Sequence, residues 1–158
     1  MAVDQMEQDL KACAEEVLES MFFTSPLSEP VPGGRSRLDL ILAQVTFRGT
    51  ASGRFGVGCS MDAARSLTAA FLGMESDTVA EQQCGEVICE LANMLCGSVL
   101  SRMEPGGRFD LMTPEIEPPG CLPETVTASR IFQLEEGALL TWLLFEEANW
   151  IEIGKSKF

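Results

Sequence analysis

Near the start of the chain apolar residues recur at three- and four-residue steps. Met6, Leu10, Cys13, Val17, Leu18 and Met21 alternate with acidic and polar positions, which is the spacing of an amphipathic helix over residues 4 to 22. That helix ends near Phe22–Phe23. The next stretch, Thr24–Arg35, carries Pro26, Pro30, Pro32 and Gly33–Gly34 and reads as a loop. Leu38–Arg48 and Ser52–Cys59 then read as two strands joined through Gly49-Thr50-Ala51. Gly53, Gly56 and Gly58 precede no Lys-Ser/Thr, and Gly154-Lys155-Ser156 lacks the upstream glycine of a phosphate loop. Hairpin twist or close backbone packing explains the three glycines.

Ser60 stands at the N-cap of a helix over Met61–Gly73. A longer helix runs from about Asp77 or Thr78 to Met103, where Glu104-Pro105-Gly106-Gly107 stops it. Arg108–Met112 reads as a short strand and Thr113–Gly120 as an irregular connection. Val126–Leu134, Ala138–Phe145 and Asn149–Ile153 follow as strands of a meander, the first two turned by Glu135-Glu136-Gly137. Helix, two strands, two helices and then strands is a segregated α+β order, with an antiparallel sheet carrying its helices packed on one face. The length of 158 residues suits one domain over residues 1–158.

Composition narrows the chemistry. Eleven Lys and Arg stand against twenty-four Asp and Glu, for a formal net charge of −13. Binding to a phosphate backbone needs clustered cations, so nucleic acid is not an expected partner. The chain has no His and no Tyr, which removes Ser-His, Cys-His and His-metal mechanisms together. Acids stand where a signal peptide would have Lys or Arg, and the apolar stretch Ala138–Phe145 is far short of a membrane span. The expected location is the cytoplasm, with no membrane partner. Six cysteines contain no Cys-x-x-Cys and read as buried or half-buried free thiols, not as a metal or disulfide set.

The informative segment is Cys84–Leu100. With Glu86 at zero and about 100° per residue, Glu90 falls near 40°, Asn93 near −20° and Gly97 near 20°. These four make one narrow stripe, while Ile88, Leu91, Leu95 and Val99 gather about the opposite pole. Asn and Gly are poor helix formers, costing several tenths to about 1 kcal/mol each relative to Ala. Glu86 and Glu90 are like charges at i, i+4, which destabilises a helix slightly. A stripe that opposes helix propensity at three points is expected to be used, and Gly97 leaves room beside Asn93 for another surface to approach.

Glu90-Leu-Ala-Asn93-Met-Leu-Cys-Gly97 resembles the E-x-x-N helix of the CheX/CheC family of chemotaxis phosphatases. Glu86 occupies the position four before the Glu, where the family more usually has Asp or Ser, and Pro114 stands for the family's downstream proline. The helix over Met61–Gly73 has no matching Glu and Asn, so the chain is CheX-like, with one such helix. The resemblance implies hydrolysis of the aspartyl-phosphate of a CheY-like response-regulator receiver domain. Asn93 would orient the attacking water and Glu90 would pair with the receiver's active-site Lys, so these two are the expected catalytic residues. Glu86, Gly97 and Pro114 are the expected partner-binding residues. No cofactor of the chain's own is implied, and Mg2+ is expected on the receiver. CheX-like proteins are typically homodimers with a sheet shared between subunits, and an apolar strand such as Ala138–Phe145 would be a liability at an exposed edge. The alternative is a non-catalytic binding module, an adaptor or flagellar-switch-like protein on the same scaffold. A thiol redox sensor built on Cys89 and Cys96 is disfavoured, because i, i+7 on a helix separates them by about 10 Å.

Overall fold

The structure is a computed structural model that describes residues 3–27, 40–118 and 120–146. The first periodic segment forms α1, Val3–Met21. β1 (Ile41–Gly49) and β2 (Gly53–Cys59) make an antiparallel hairpin. Ser60 caps α2 (Met61–Leu72), its hydroxyl accepting from the Ala63 amide at 3.2 Å, and Gly73 closes that helix at φ 68°. Both ends follow the local chemistry, a hydroxyl for an orphan N–H and a glycine for a left-handed turn. A 3-10 turn, Ser76–Thr78, leads to α3, Glu81–Met103. The expected helix start at Asp77 or Thr78 is therefore displaced. Val79 and Ala80 are extended, and α3 begins where the Gln83 side chain accepts from the Ala80 amide at 2.8 Å.

Four more strands complete the sheet: β3 (Phe109–Leu111), β4 (Glu115–Glu117), β5 (Ala128–Leu134) and β6 (Gly137–Phe145). The order is β3-β1-β2-β6-β5, every neighbouring pair antiparallel, with β4 also on β1. β3 faces Phe47–Gly49 and β4 faces Leu42–Gln44, so the two are halves of one broken edge strand. The sequence reading of Thr113–Gly120 as irregular missed β4. Three residues, Glu-Ile-Glu, between prolines are too few for a two-residue period to register. The expected strand Asn149–Ile153 lies outside the described residues.

The expected layering, helices on one face of an antiparallel sheet, is observed. α3 packs on β1 and β2 and is flanked by α1 and α2. Ile88, Leu91, Leu95 and Val99 are almost fully buried, as are Val45, Phe47, Phe55 and Leu143 beneath them. α3 is long and apolar enough by composition to span a bilayer, but its apolar surface is used against the sheet and its two neighbours. Asp9 of α1, itself buried, receives Arg102 Nε of α3 at 3.3 Å and Gln5 Nε2 at 3.2 Å, which ties the two helices by charge as well as by packing. Phe22 at the end of α1 stacks on Phe71 of α2, ring centroids 5.0 Å apart.

β6 lies between β2 and β5 and not at an edge. That explains why it is apolar on both faces: Leu139 and Leu143 enter the helix-side core, whereas Trp142 is buried outside that core. The Trp142 indole covers Gly56, and a Cβ at that glycine would run into the ring. Close packing is thus the reason for the glycines of β2. Gly56→Ala is expected to lower stability by roughly 1–3 kcal/mol through overpacking, read as a shift in the urea midpoint at unchanged slope.

Candidate functional site

α3 presents its polar stripe as a narrow strip. Glu86 and Glu90 are exposed, and Asn93 and Gly97 are half-buried. The strip is shorter than helical phase alone suggests. Leu100, only about 40° from Glu86 by phase, is 2% exposed, and Cys96 on the same side is fully buried. Both pack into the core, and Leu111 and Phe109 of β3 pack against that same core. The stripe is open as far as Gly97, about two-thirds of the way along the helix, and closes at Leu100.

The broken edge strand runs beside this strip. A built Cβ on Gly85 would lie 3.8 Å from Ile116 Cγ1 of β4, and one on Gly97 would lie 4.0 Å from Leu111 Cδ2 of β3. Between these points the helix and the break form an open groove of about 560 Å3. Its helix wall includes Gly85, Glu86, Cys89 and Glu90, and its far wall is Thr113, Pro114 and Ile116. The structure thus brings Glu86, Glu90 and Pro114 together around one groove. Asn93 follows Glu90 by one turn without lining that groove, and Gly97 lies farther along, opposite β3. Pro114 lacks an N–H and cannot extend a ladder, consistent with its place at the break.

Polar partners are few. Glu86 receives Gln82 Nε2 at 3.2 Å. Among the described residues, neither the Glu90 carboxylate nor the Asn93 carboxamide makes a hydrogen bond or ion pair. A carboxamide both donates and accepts, so Asn93 has unspent capacity for a water or a partner. Burial pushes the Cys89 thiol up, and Cys96 is pushed up to about 12 by burial alone. Both thiols are therefore neutral near pH 7. Cys13, Cys59, Cys84 and Cys96 are buried and Cys89 is half-buried, as expected, but Cys121 is exposed. It follows a proline-rich turn outside the regular elements, where no periodicity reports burial. Among the described residues no group of three Cys, Asp or Glu is placed to hold a metal ion.

Sequence reasoning did not identify Gln82, Gly85, Cys89, Thr113 or Ile116 as groove residues. Gly85 carried a usable signal, a second small residue in the same helix as Gly97. Ile116 became visible only with the pairing of β4 on β1.

The family description chemotaxis phosphatase CheX matches residues 41–119, half of the chain. The chain belongs to the CheX family. No curated protein sequence matches it. Among solved structures, the chemotaxis protein CheX from Vibrio vulnificus is 19% identical, with a TM-score of 0.69 over 92% of this chain and 99% of that one. The CheX of a CheX–CheY–BeF3–Mg2+ complex from Borrelia burgdorferi is 16% identical, with a TM-score of 0.67 over 92% and 98% of the two chains. FliY from Thermotoga maritima shares the fold at 8% identity, with a TM-score of 0.65 over 97% and 96%. At these identities the structures share a fold. The family assignment rests on the sequence match, which spans the hairpin, α2, α3 and the broken edge strand.

The space at Gly97 yields a test. A methyl group there meets Leu111 at ordinary van der Waals distance, so Gly97→Ala is expected to raise stability by about 0.5–1 kcal/mol through helix propensity. Thermal unfolding checks this. A destabilised variant would mean that the fold itself requires the glycine.

Proposed function

We propose that this CheX-family protein hydrolyses the aspartyl-phosphate of a CheY-like response-regulator receiver domain, with Asn93 orienting the attacking water and Glu90 anchoring the receiver. The observation that carries the reading is the pair itself. An exposed carboxylate and, three residues on, a half-buried carboxamide stand without partners among the described residues, on a helix clamped into the core.

The chemistry needs no nucleophilic side chain. The water oxygen attacks phosphorus, the bond from phosphorus to the receiver's aspartyl oxygen breaks, and inorganic phosphate leaves as the carboxylate is restored. The catalyst's task is positioning and charge compensation. The Asn93 oxygen accepts a hydrogen bond from the water and aims its lone pair at phosphorus. Glu90 meets the receiver's active-site Lys, an acid on a strongly acidic protein meeting a cation. Mg2+ belongs to the receiver on this reading. Gly97 and Pro114 shape the approach, and Glu86 lies on the contacting face. The site of action is the cytoplasm, and two copies pair through a sheet edge. β5 offers an outer edge with Ile131 58% exposed, although the Leu27 amide already takes the Gln133 carbonyl at 2.8 Å.

The fold is shared with FliY and with a FliM middle domain, so the scaffold alone does not carry the activity, and the second reading is a non-catalytic binding module or flagellar-switch-like protein. The unpartnered Asn93 favours the enzyme, since a surface used only for docking does not call for a poor helix former at that point.

The decay of a phosphorylated CheY-like receiver separates the two. Wild-type protein is expected to accelerate it, and Asn93→Ala to lose at least about a hundredfold of that acceleration while still binding the receiver. Glu90→Ala is expected to raise the half-saturating receiver concentration. No acceleration by folded wild-type protein across several receivers would favour the binding module.

A further inference from the structure

The water-orienting role uses Asn93 and Glu90 but leaves the groove between α3 and the β3–β4 break without a purpose. Its far wall is apolar, with Pro114 and with Ile116 at 48% exposure. Gly85 contributes no side chain to the helix wall, so the space in front of Ile116 stays open. Glu86 stands at the rim, its carboxylate held by Gln82 Nε2 at 3.2 Å, and Glu90 stands one turn further along. Among the described residues no Lys or Arg lines the groove.

We propose that this groove is a specificity pocket for one basic side chain, a Lys or Arg, on the surface of the receiver domain, taken up by Glu86 and Ile116 in addition to the contact at Glu90. The proposal rests on the receiver reading above. A long cationic side chain has the two halves the groove asks for, an aliphatic stem to lie along Ile116 and Pro114 and a charged head to meet Glu86. An acidic side chain would meet two carboxylates with no compensating cation. A purely apolar one would take water from Glu86 and return no hydrogen bond, which costs free energy. The receiver is the source because Glu90 belongs both to the groove lining and to the strip with Asn93, so a domain seated on Glu90 and Asn93 lies against the groove. Receivers that carry a basic residue at that point would be preferred substrates. Most of the discrimination would then lie in binding and not in the chemical step.

The test uses full-length protein with a CheY-like receiver, measuring equilibrium binding of its BeF3-activated, Mg2+-loaded form and steady-state hydrolysis of its phosphorylated form. Gly85→Leu fills the groove from a helix position that accepts Leu readily, and Glu86→Gln removes the charge at constant shape. Circular dichroism and the urea midpoint confirm that each variant folds. Both are expected to raise Kd and the half-saturating concentration about tenfold, with the rate at saturation within about twofold of wild type. Glu86→Gln should also weaken the salt dependence of binding. Unchanged Kd in both variants, with a wild type that binds, overturns the pocket. Binding without turnover overturns only the phosphatase reading, and the variant Kd values still decide the pocket. Failure of every receiver to bind, or variants that alter self-association alone, overturns the pocket as well.

Discussion

The rest of the structure depends on how α3 is held. It lies on β1 and β2, between α1 and α2, and ten of its twenty-three residues are buried. Each fully buried Ile, Leu or Val contributes roughly 1.5–3 kcal/mol, so Ile88, Leu91, Leu95 and Val99 together far outweigh the cost of about 1 kcal/mol or less for each of Asn93 and Gly97 in the same helix. Packing therefore lets the helix carry residues that propensity would reject. It also fixes where those residues stand. A carboxamide that orients a water has to be placed to a fraction of an ångström, and a helix clamped on three sides holds that position better than a loop.

The second constraint is the break in the outer strand. An unbroken strand beside β1 would run past the exposed half of α3 at constant distance. Residues 112–114 interrupt it, with a proline that cannot donate to the ladder. The interruption opens the groove beside Glu86 and Glu90, while β3 beyond it packs on the core and helps to close the strip near Leu100. One short irregularity thus sets both the length of the accessible stripe and the shape of its flank. The far side of the sheet is occupied differently, by Trp142 over Gly56.

Much of this was legible in the sequence, and the parts that were not share a cause. The helices showed through the 3.6-residue period, and their ends through Ser60 and Gly73, because capping chemistry is local. The stripe of Glu86, Glu90, Asn93 and Gly97 followed from helical phase, and the CheX family from the residues on it. What phase could not show was where the stripe ends, since Leu100 and Cys96 are buried in a core built from elements distant in sequence. β4 was missed because three residues between prolines carry no period. β6, whose apolar sequence would be a liability at an exposed edge, lies inside the sheet, where apolarity on both faces is the mark of a central strand. The groove combines residues from two such non-local features, so Gly85 and Ile116 stood out only once the strands were paired.

The most direct test of the central claim, that the open strip of α3 is the working surface, is amide chemical-shift mapping with a BeF3-activated, Mg2+-loaded CheY-like receiver. The account predicts perturbations confined to the first two-thirds of α3, from Gln82 to Gly97, and to the break from Met112 to Ile116. Perturbations centred on the β5 edge or on the sheet face around Trp142, with α3 silent, would contradict it.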